Sequence, residues 1–371
     1  MNIGIIGFGN MGKTHAYAID GLKYFYSDID FDPVLYGISA SSGSSAARYA
    51  EDFGFIKAFS SPDELINCPE IDVIDICTPN IFHYEQLKAA IVAGKSIYCE
   101  KPLTTSKSQS LEIASLAKEK GTTCGIVFNN RFLLPVMKAK EIIDSGDIGN
   151  IISFNFSYLH SSAMNTDRTG WKQDKDICGG GTLVDLGSHV IDLALYLCGK
   201  ISAVYGKSQV AFPVRRSVVG KENWSTNADE AFYITATLVS GAVGQITVSK
   251  VHMGTNDDLT FEIYGEKGAL RFSLMEPNWL YYYDGGSPSL GGFRRVECVG
   301  RYPSPATGFP GIKAPVGWLR GHIGSMHNFL RCAADKKISN PSFDDAARVQ
   351  CVIDAAYKSD ITKREEKVSY T

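Results

Sequence analysis

Met1-Asn-Ile-Gly-Ile-Ile-Gly-Phe-Gly-Asn-Met-Gly12 opens the chain, and its reading decides the first fold. The apolar run Ile3, Ile5, Ile6 predicts a buried strand. It leads directly into Gly7-x-Gly9-x-x-Gly12, with a helix-compatible segment from Lys13. Strand, glycine turn and helix in that order form the dinucleotide-binding fingerprint. Gly7 permits the tight turn, Gly9 lets backbone approach a pyrophosphate, and Gly12 lets helix pack on strand. The helix N-terminus adds free N–H groups and a partial positive charge. Phe8, Asn10 and Met11 complete the loop as candidate cofactor contacts.

Outward from this loop, strand and helix patterns alternate. Strands are predicted at 34–38, 55–59, 71–77, 96–99 and 123–128, and helices at 44–53, 62–67, 84–93 and 106–120. Strands separated by helices of this length imply right-handed crossovers and a doubly wound parallel sheet. After residue 130 the texture changes. A helix over 134–145 and an alternating strand over 151–158 precede long strands between 201 and 272 with no helix among them. That pattern predicts a mostly antiparallel open sheet. Residues 276–320 are rich in Gly, Pro and aromatics and read as an irregular binding loop; helices follow at 322–334 and 343–360. The expected organisation is a dinucleotide-binding Rossmann domain over 1–130 and an α+β domain over 131–371.

Composition narrows the function. A net charge of −3 over 371 residues argues against nucleic-acid and anionic-membrane partners, which call for basic patches. No run of about 18 apolar residues is legible, so no membrane span is expected. The start lacks a basic region, so no signal peptide is expected either. Nine cysteines without a CxxC pair predict reduced thiols and a cytoplasmic protein. Seven histidines without metal-binding spacing predict no metal.

Three further segments carry candidate chemistry. Thr78-Pro79-Asn80, with His83 after it, follows a strand's carboxyl end, where open α/β sheets bind ligands. Glu100-Lys101-Pro102 follows the next strand and shares that edge. Gly179-Gly-Gly181 opens a helix with Asp185 and His189, four residues apart and therefore on one face.

These segments, taken with Asn130-Arg131-Phe132, Gly146-x-x-Gly149, Tyr264-Gly-Glu-Lys-Gly268 and Ala355-Ala-Tyr-Lys-Ser359, resemble the glucose–fructose oxidoreductase / inositol dehydrogenase family. The resemblance spans almost the whole chain and implies a dehydrogenase or reductase. It would move a hydride between a nicotinamide and a secondary hydroxyl of a sugar, cyclitol or glycoside. It implies that Lys101 reaches both the nicotinamide ribose and the substrate. His189 would be the acid/base, and Asp185 would hold a substrate hydroxyl and orient or charge-stabilise His189. Thr78, Pro79, Asn80, His83, Glu100 and Arg131 would lie at the cofactor, and the second sheet would mediate a homo-oligomer, dimer or tetramer. Dihydrodiol or biliverdin-type reduction, or a tightly held recycling cofactor, are alternatives. A dinucleotide-sensing regulator that kept the fold and lost the chemistry is the alternative from a different class; substitution at Lys101 or His189 would mark it, and both are intact.

Substrate contacts are expected from Tyr158, His160, Arg168 and Trp171, whose aromatic faces and polar tips suit a sugar. The aromatics Trp279, Tyr281, Tyr282, Tyr283 and Trp318 point either to a substrate with an aglycone or second ring or to packing of a loop or an oligomer interface. One feature departs from the family pattern. Where strand two should end in an acid for the adenosine ribose, the chain has Ala40, followed by Ser41 and Ser42. NAD is favoured slightly over NADP, with loose discrimination.

Overall fold

The computed structural model describes residues 1–27, 29–167, 170–216, 223–287, 291–299, 302 and 317–371. The opening apolar run forms β1 (Asn2–Ile6), and the segment behind the glycines forms α1 (Asn10–Phe25). Alternation continues through β2 (Val34–Ser39), α2 (Gly43–Phe53), β3 (Lys57–Phe59), α3 (Pro62–Ile66), β4 (Val73–Ile76), α4 (His83–Val92), β5 (Ser96–Cys99), α5 (Lys107–Lys120) and β6 (Cys124–Ile126). Local chemistry sets the helix ends. The hydroxyls of Ser42, Ser61 and Ser106 accept the first free N–H groups of α2, α3 and α5, while Gly54 and Gly121 close α2 and α5 in the left-handed region. All six strands pair in parallel in the order β3-β2-β1-β4-β5-β6. Chain direction across the sheet reverses between β1 and β4, so the loops after these two strands flank the switch point where such sheets bind ligands.

The chain goes on through α6 (Leu134–Asp144), β7 (Ile151–Leu159), α7 (Lys175–Cys178), α8 (Ser188–Cys198), β8 (Ile201–Gln209), β9 (Val214–Arg216), β10 (Asn223–Ser225), β11 (Ala231–Leu238), β12 (Val243–Ser249), β13 (Asp258–Gly265), β14 (Gly268–Ser273), β15 (Trp279–Asp284) and β16 (Arg294–Glu297). It closes with α9 (Trp318–Ala334), α10 (Phe343–Thr362) and β17 (Glu366–Lys367). Nine of these strands form one sheet in the order β16-β15-β14-β13-β7-β12-β11-β8-β17, while β9 and β10 pair separately. Every neighbour in the large sheet is antiparallel except β7 with β12. Alternation along β7 and β11 buries Phe154, Phe156, Phe232 and Ile234 on one face and leaves Tyr233 on the other.

Two compact units result. The first is Met1–Phe132 with Tyr302 and Trp318–Ala347; the second takes in Leu133–Val299 and Arg348–Thr371 over their described residues. The expected single cut near residue 130 therefore misses one exchange: α9 belongs to the first unit. Ile323, Met326, Phe329 and Leu330 of α9 join the core of Ile3, Ile5, Ile19, Leu22 and Tyr98. Two other expectations change. Part of the stretch read as an irregular loop is the strand pair β15–β16 at the sheet edge, and other parts lie outside the described residues. Second, Lys175–Cys198 is long and apolar enough to cross a membrane by length and composition, although no such stretch was legible in the sequence. Lys175, Asp176, Asp185, Ser188, His189 and Asp192 interrupt its apolar pattern, and 72% of its most apolar window is buried inside the protein, as in a core segment.

Phe329, 1% exposed, stacks on Tyr98 at 4.9 Å. Phe329→Ala is expected to destabilise the first unit by about 3–5 kcal/mol, measured by urea unfolding. A cost below about 1 kcal/mol would show that α9 is not part of that core.

Candidate active site

The glycine loop sorts its three glycines by what each must leave room for. Gly7 has φ +90°, and a Cβ there would lie 2.7 Å from the Cys77 carbonyl oxygen. A Cβ on Gly12 would lie 2.4 Å from the carbonyl oxygen of Gly7. The protein's own backbone demands both. At Gly9 nothing lies within 4 Å, and no side chain caps α1 there. That open space beside free N–H groups fits a dinucleotide pyrophosphate. Asn10 is exposed and Met11 half-buried at its rim. Phe8 is a correction: its ring is buried against Tyr49, Phe53 and Phe55, so only its backbone is left for a cofactor.

At the end of β2, Ala40 is half-buried and Ser41 and Ser42 are exposed. The Ser42 hydroxyl is already engaged, accepting the Ser45 N–H at 3.2 Å and bonding the Ser44 and Ser45 hydroxyls at 3.1 and 3.0 Å. The Arg48 guanidinium lies 5.0 Å over the Tyr49 ring.

Behind the loop edge lies a buried charge network. His15 Nδ1 sits 3.0 Å from both carboxylate oxygens of Asp75 and 3.2 Å from Cys77 Sγ; its Nε2 is 3.2 Å from Glu100 Oε1. Burial alone would lower the His15 pKa, but Asp75 and Cys77 outweigh it and hold the value well above the ordinary one. His15 is thus a buried cation between two carboxylates. Burial would raise the Glu100 pKa, yet His15, Lys101 and His322 bring it down to about 2. His15, Asp75 and Cys77 put three side chains of metal-ligand type within 4.8 Å of one another. The shared imidazole proton accounts for that proximity. Behind them, burial and the positive His15 push His322 down to about 3; neither of its ring nitrogens has a hydrogen-bond partner among the described residues.

Three residues expected at the cofactor also brace the loops at this edge. Glu100 accepts the backbone N–H of Lys101 at 3.2 Å through Oε2, so it holds the Lys101 turn. His83, 0% exposed, bridges two loops, with Nδ1 2.8 Å from the Pro102 carbonyl and Nε2 2.9 Å from that of Thr78. Arg131 donates to Asn340 at 2.9 Å and pairs with Asp345 at 3.4 Å, tying its turn to the segment before α10 and to the helix's first turn. Thr78 donates to Gln86 at 2.7 Å; Pro79 and Lys101 are partly exposed and Asn80 is buried.

The second unit gathers its own cluster. The parallel pairing of β7 with β12 aligns their carboxyl ends, and β13 starts beside them. That register brings together Tyr158 and His160 of the β7 end, Lys250 beyond β12 and Asp257 before β13. Asp257 Oδ1 accepts the Tyr158 hydroxyl at 2.6 Å and lies 2.9 Å from His160 Nε2. The Tyr158 ring meets that of His189 edge to face at 5.9 Å. Asp185 lies in a π-helical turn (Leu183–Gly187) that runs into α8, the helix carrying His189. Its carboxylate meets Lys172 Nζ at 3.0 and 3.1 Å and Lys250 Nζ at 2.9 Å. Trp171 is 37% exposed beside Lys172, and Arg168 lies outside the described residues.

The triple glycine earns its place through packing. A Cβ on Gly181 would lie 2.2 Å from the Asp229 carbonyl oxygen, and one on Gly180 2.4 Å from the Tyr357 hydroxyl. Close approach lets Asp229 cap the helix: its carbonyl takes the Thr182 N–H at 2.8 Å, and its carboxylate takes Leu183 N–H at 2.9 Å and the Tyr357 hydroxyl at 2.6 Å. Sequence reading missed Asp229, Lys172, Lys250 and Asp257. The expected aromatics are also placed. Trp279 stacks under Arg295 at 3.9 Å and Tyr281 bonds Glu276 at 2.8 Å, both within the sheet edge, while Trp318 lies against His322 at 4.1 Å.

Comparison with known proteins fits both halves. Residues 1–128 match the oxidoreductase family with NAD-binding Rossmann fold, and residues 136–271 match the GFO/IDH/MocA C-terminal domain. The chain belongs to this family and is an oxidoreductase with an NAD-binding Rossmann domain. It is 32% identical to levoglucosan dehydrogenase of Pseudarthrobacter phenanthrenivorans across 97% of this chain and 96% of that one. Glucose-6-phosphate 3-dehydrogenase of Bacillus subtilis is 25% identical across 99% and 98%. A solved levoglucosan dehydrogenase in complex with NADH and levoglucosan superposes with a TM-score of 0.94 at 31% identity, covering 100% of each chain.

The network sets a pH dependence. The folded value of His322, about 3, lies below its ordinary 6.5, so the unfolded chain binds a proton that the folded one refuses. Stability from neutral His322 is full above about pH 6.5 and lost as pH falls towards 3, with a slope of up to about 1.4 kcal/mol per pH unit. Glu100 adds to the loss below 4.5. His15 has the opposite sign, its contribution fading as pH rises through its elevated folded value. His322→Phe is expected to flatten the decline in Tm between pH 6.5 and 4; an unchanged decline would exclude His322 as a contributor. At the glycine loop, Gly9→Val is expected to keep Tm within a few degrees and to abolish NADH binding by fluorescence titration. Retained binding in the folded variant would refute the loop assignment.

Proposed function

We propose that this chain oxidises a secondary hydroxyl of a pyranose sugar, anhydrosugar or glycoside. The observation that carries this is the second unit's cluster: an imidazole, a phenol and two carboxylates on one strand–helix face, in a chain aligned end to end with a levoglucosan dehydrogenase. Bound at the glycine loop, the nicotinamide dinucleotide supplies the hydride acceptor. His189 takes the hydroxyl proton, an acid/base task that an imidazole side chain suits. Lys101, whose turn is fixed by Glu100, is assigned to the ribose and the reacting oxygen. Asp185, with Lys172 and Lys250 around it, is assigned to substrate hydroxyls, together with His160 and Trp171. NAD is the preferred dinucleotide: with the Ser42 hydroxyl spent on its cap and Arg48 stacked on Tyr49, neither is poised for a 2′-phosphate.

The protein is further read as cytoplasmic, its described cysteines all free thiols. It is also read as a homo-oligomer through the outer sheet face, which exposes Tyr205, Tyr233 and Val243.

The test is reduction of NAD at 340 nm over a panel of sugars, anhydrosugars, glycosides and cyclitols. With the best substrate, His189→Ala and Lys101→Ala are each expected to lower kcat by roughly 10²–10⁴-fold, with NADH affinity little changed for His189→Ala. Near wild-type kcat for His189→Ala at all pH values would overturn the assignment of the base.

A further inference from the structure

Two carboxylates stand near His189, and their surroundings are opposite. Asp185 lies between two ammonium groups, Lys172 at 3.0 and 3.1 Å and Lys250 at 2.9 Å, and Lys250 and Asp185 are only 12% and 17% exposed. Its charge is thus shared between two ammonium groups, which weakens what it offers a neighbouring imidazole. Asp257 faces groups of another kind. Its Oδ1 receives the Tyr158 hydroxyl and lies beside His160 Nε2, and its charge also acts on His189.

We propose that Asp257 is a positioning residue for the oxidation, the carboxylate that compensates the proton taken up by His189. This rests on the reading of His189 as the base. In that step the substrate O–H bond breaks and its proton moves to His189. The C–H electron pair leaves as hydride to the nicotinamide, and the carbonyl forms. The imidazolium so created has the Tyr158 ring 5.9 Å away, and Tyr158 belongs to a cluster with His160, Asp257, Asp185, Lys172 and Lys250. Asp257 is the negative group among these not already matched by lysines.

Two observations support it. Burial would push the Asp257 carboxyl up, but hydrogen bonds from His160 and Tyr158, with the charges of His160 and His189, hold it below its ordinary value, so it is ionised at neutral pH. Tyr158, 6% exposed, has its hydroxyl proton committed to Asp257, so its oxygen presents only lone pairs to any other neighbour. Asp257 thereby also sets the polarity of a group whose ring touches that of His189.

The experiment compares Asp257→Asn, Asp257→Glu and Tyr158→Phe in the full chain. The pH dependence of kcat/KM is followed with NAD and the best panel substrate, and His189 is titrated by histidine-selective NMR without substrate. Removing the charge is expected to lower the apparent pKa of the acidic limb, and of the His189 ring by NMR, by about half a unit to one unit. Asp257→Glu is expected to restore both. Tyr158→Phe is expected to alter KM while leaving the limb in place, because the charge remains. If His189→Ala abolishes turnover and Asp257→Asn moves neither the limb nor the NMR titration, the proposal fails and the base assignment stands. If His189→Ala retains turnover, the base assignment itself fails. A shift in Tyr158→Phe equal to that in Asp257→Asn would also overturn the proposal, reducing Asp257 to an anchor for the phenol.

Discussion

The absence of a side chain at Gly181 is the constraint on which the second unit turns. With backbone and carboxylate of Asp229 pressed against it, the first free N–H groups of the helix are satisfied from outside the helix, by a residue just ahead of β11. Tyr357, far along the chain, completes the seat by donating to Asp229 and accepting the Gly181 N–H at 3.0 Å. The helix carrying Asp185 and His189 is therefore fixed by a buried three-way polar contact, which is more directional than apolar packing. Even one methyl group at Gly181 would have to displace backbone, and His189 with it.

The first unit achieves comparable rigidity by charge. His15 projects from α1 into the space between β4 and β5, where Asp75 and Glu100 hold it from both sides. An ion triad this deep contributes little net stability, because desolvation offsets its attraction. Its effect is geometric: Glu100 is pinned on one oxygen by His15 and uses the other to hold the backbone of Lys101. The motif Glu100-Lys101-Pro102 thus divides its labour, one residue holding and the next presenting.

Much of this was legible in the sequence, for identifiable reasons. The glycine offsets, the helix-capping serines and the period-two strands are local signals, and they placed the elements of the parallel sheet to within a few residues. The motif residues Lys101, Asp185 and His189 were also visible. Asp257 and Lys250 were not, because they acquire meaning only from the register of β7 between β12 and β13, strands far apart in sequence. Asp229 looked like a loop aspartate until Gly181 was seen against it. Glu100, His83 and Arg131 were read as ligand contacts; that each also braces its loop was not legible, because a polar residue at a ligand-binding edge looks the same whether it faces outward or braces the loop from behind. Only burial separates the two. The aromatic run at Trp279 left ligand and packing roles open, since Tyr and Trp serve sheet edges as well as binding loops.

The placement of α9 has a consequence for how the protein can be made and divided. Ile323, Met326, Phe329 and Leu330 complete an apolar core whose other members lie almost entirely within the first hundred or so residues. A ribosome finishes the parallel sheet long before it synthesises that helix. Until then, the α1 side of the sheet shows water an unfilled apolar face, a surface that attracts chaperones or other exposed hydrophobic segments. For the same reason, cutting the gene after Phe132 would not yield an autonomous nucleotide-binding module. An excised version would need the 318–347 segment grafted back, through a linker, onto the end of the 1–132 piece.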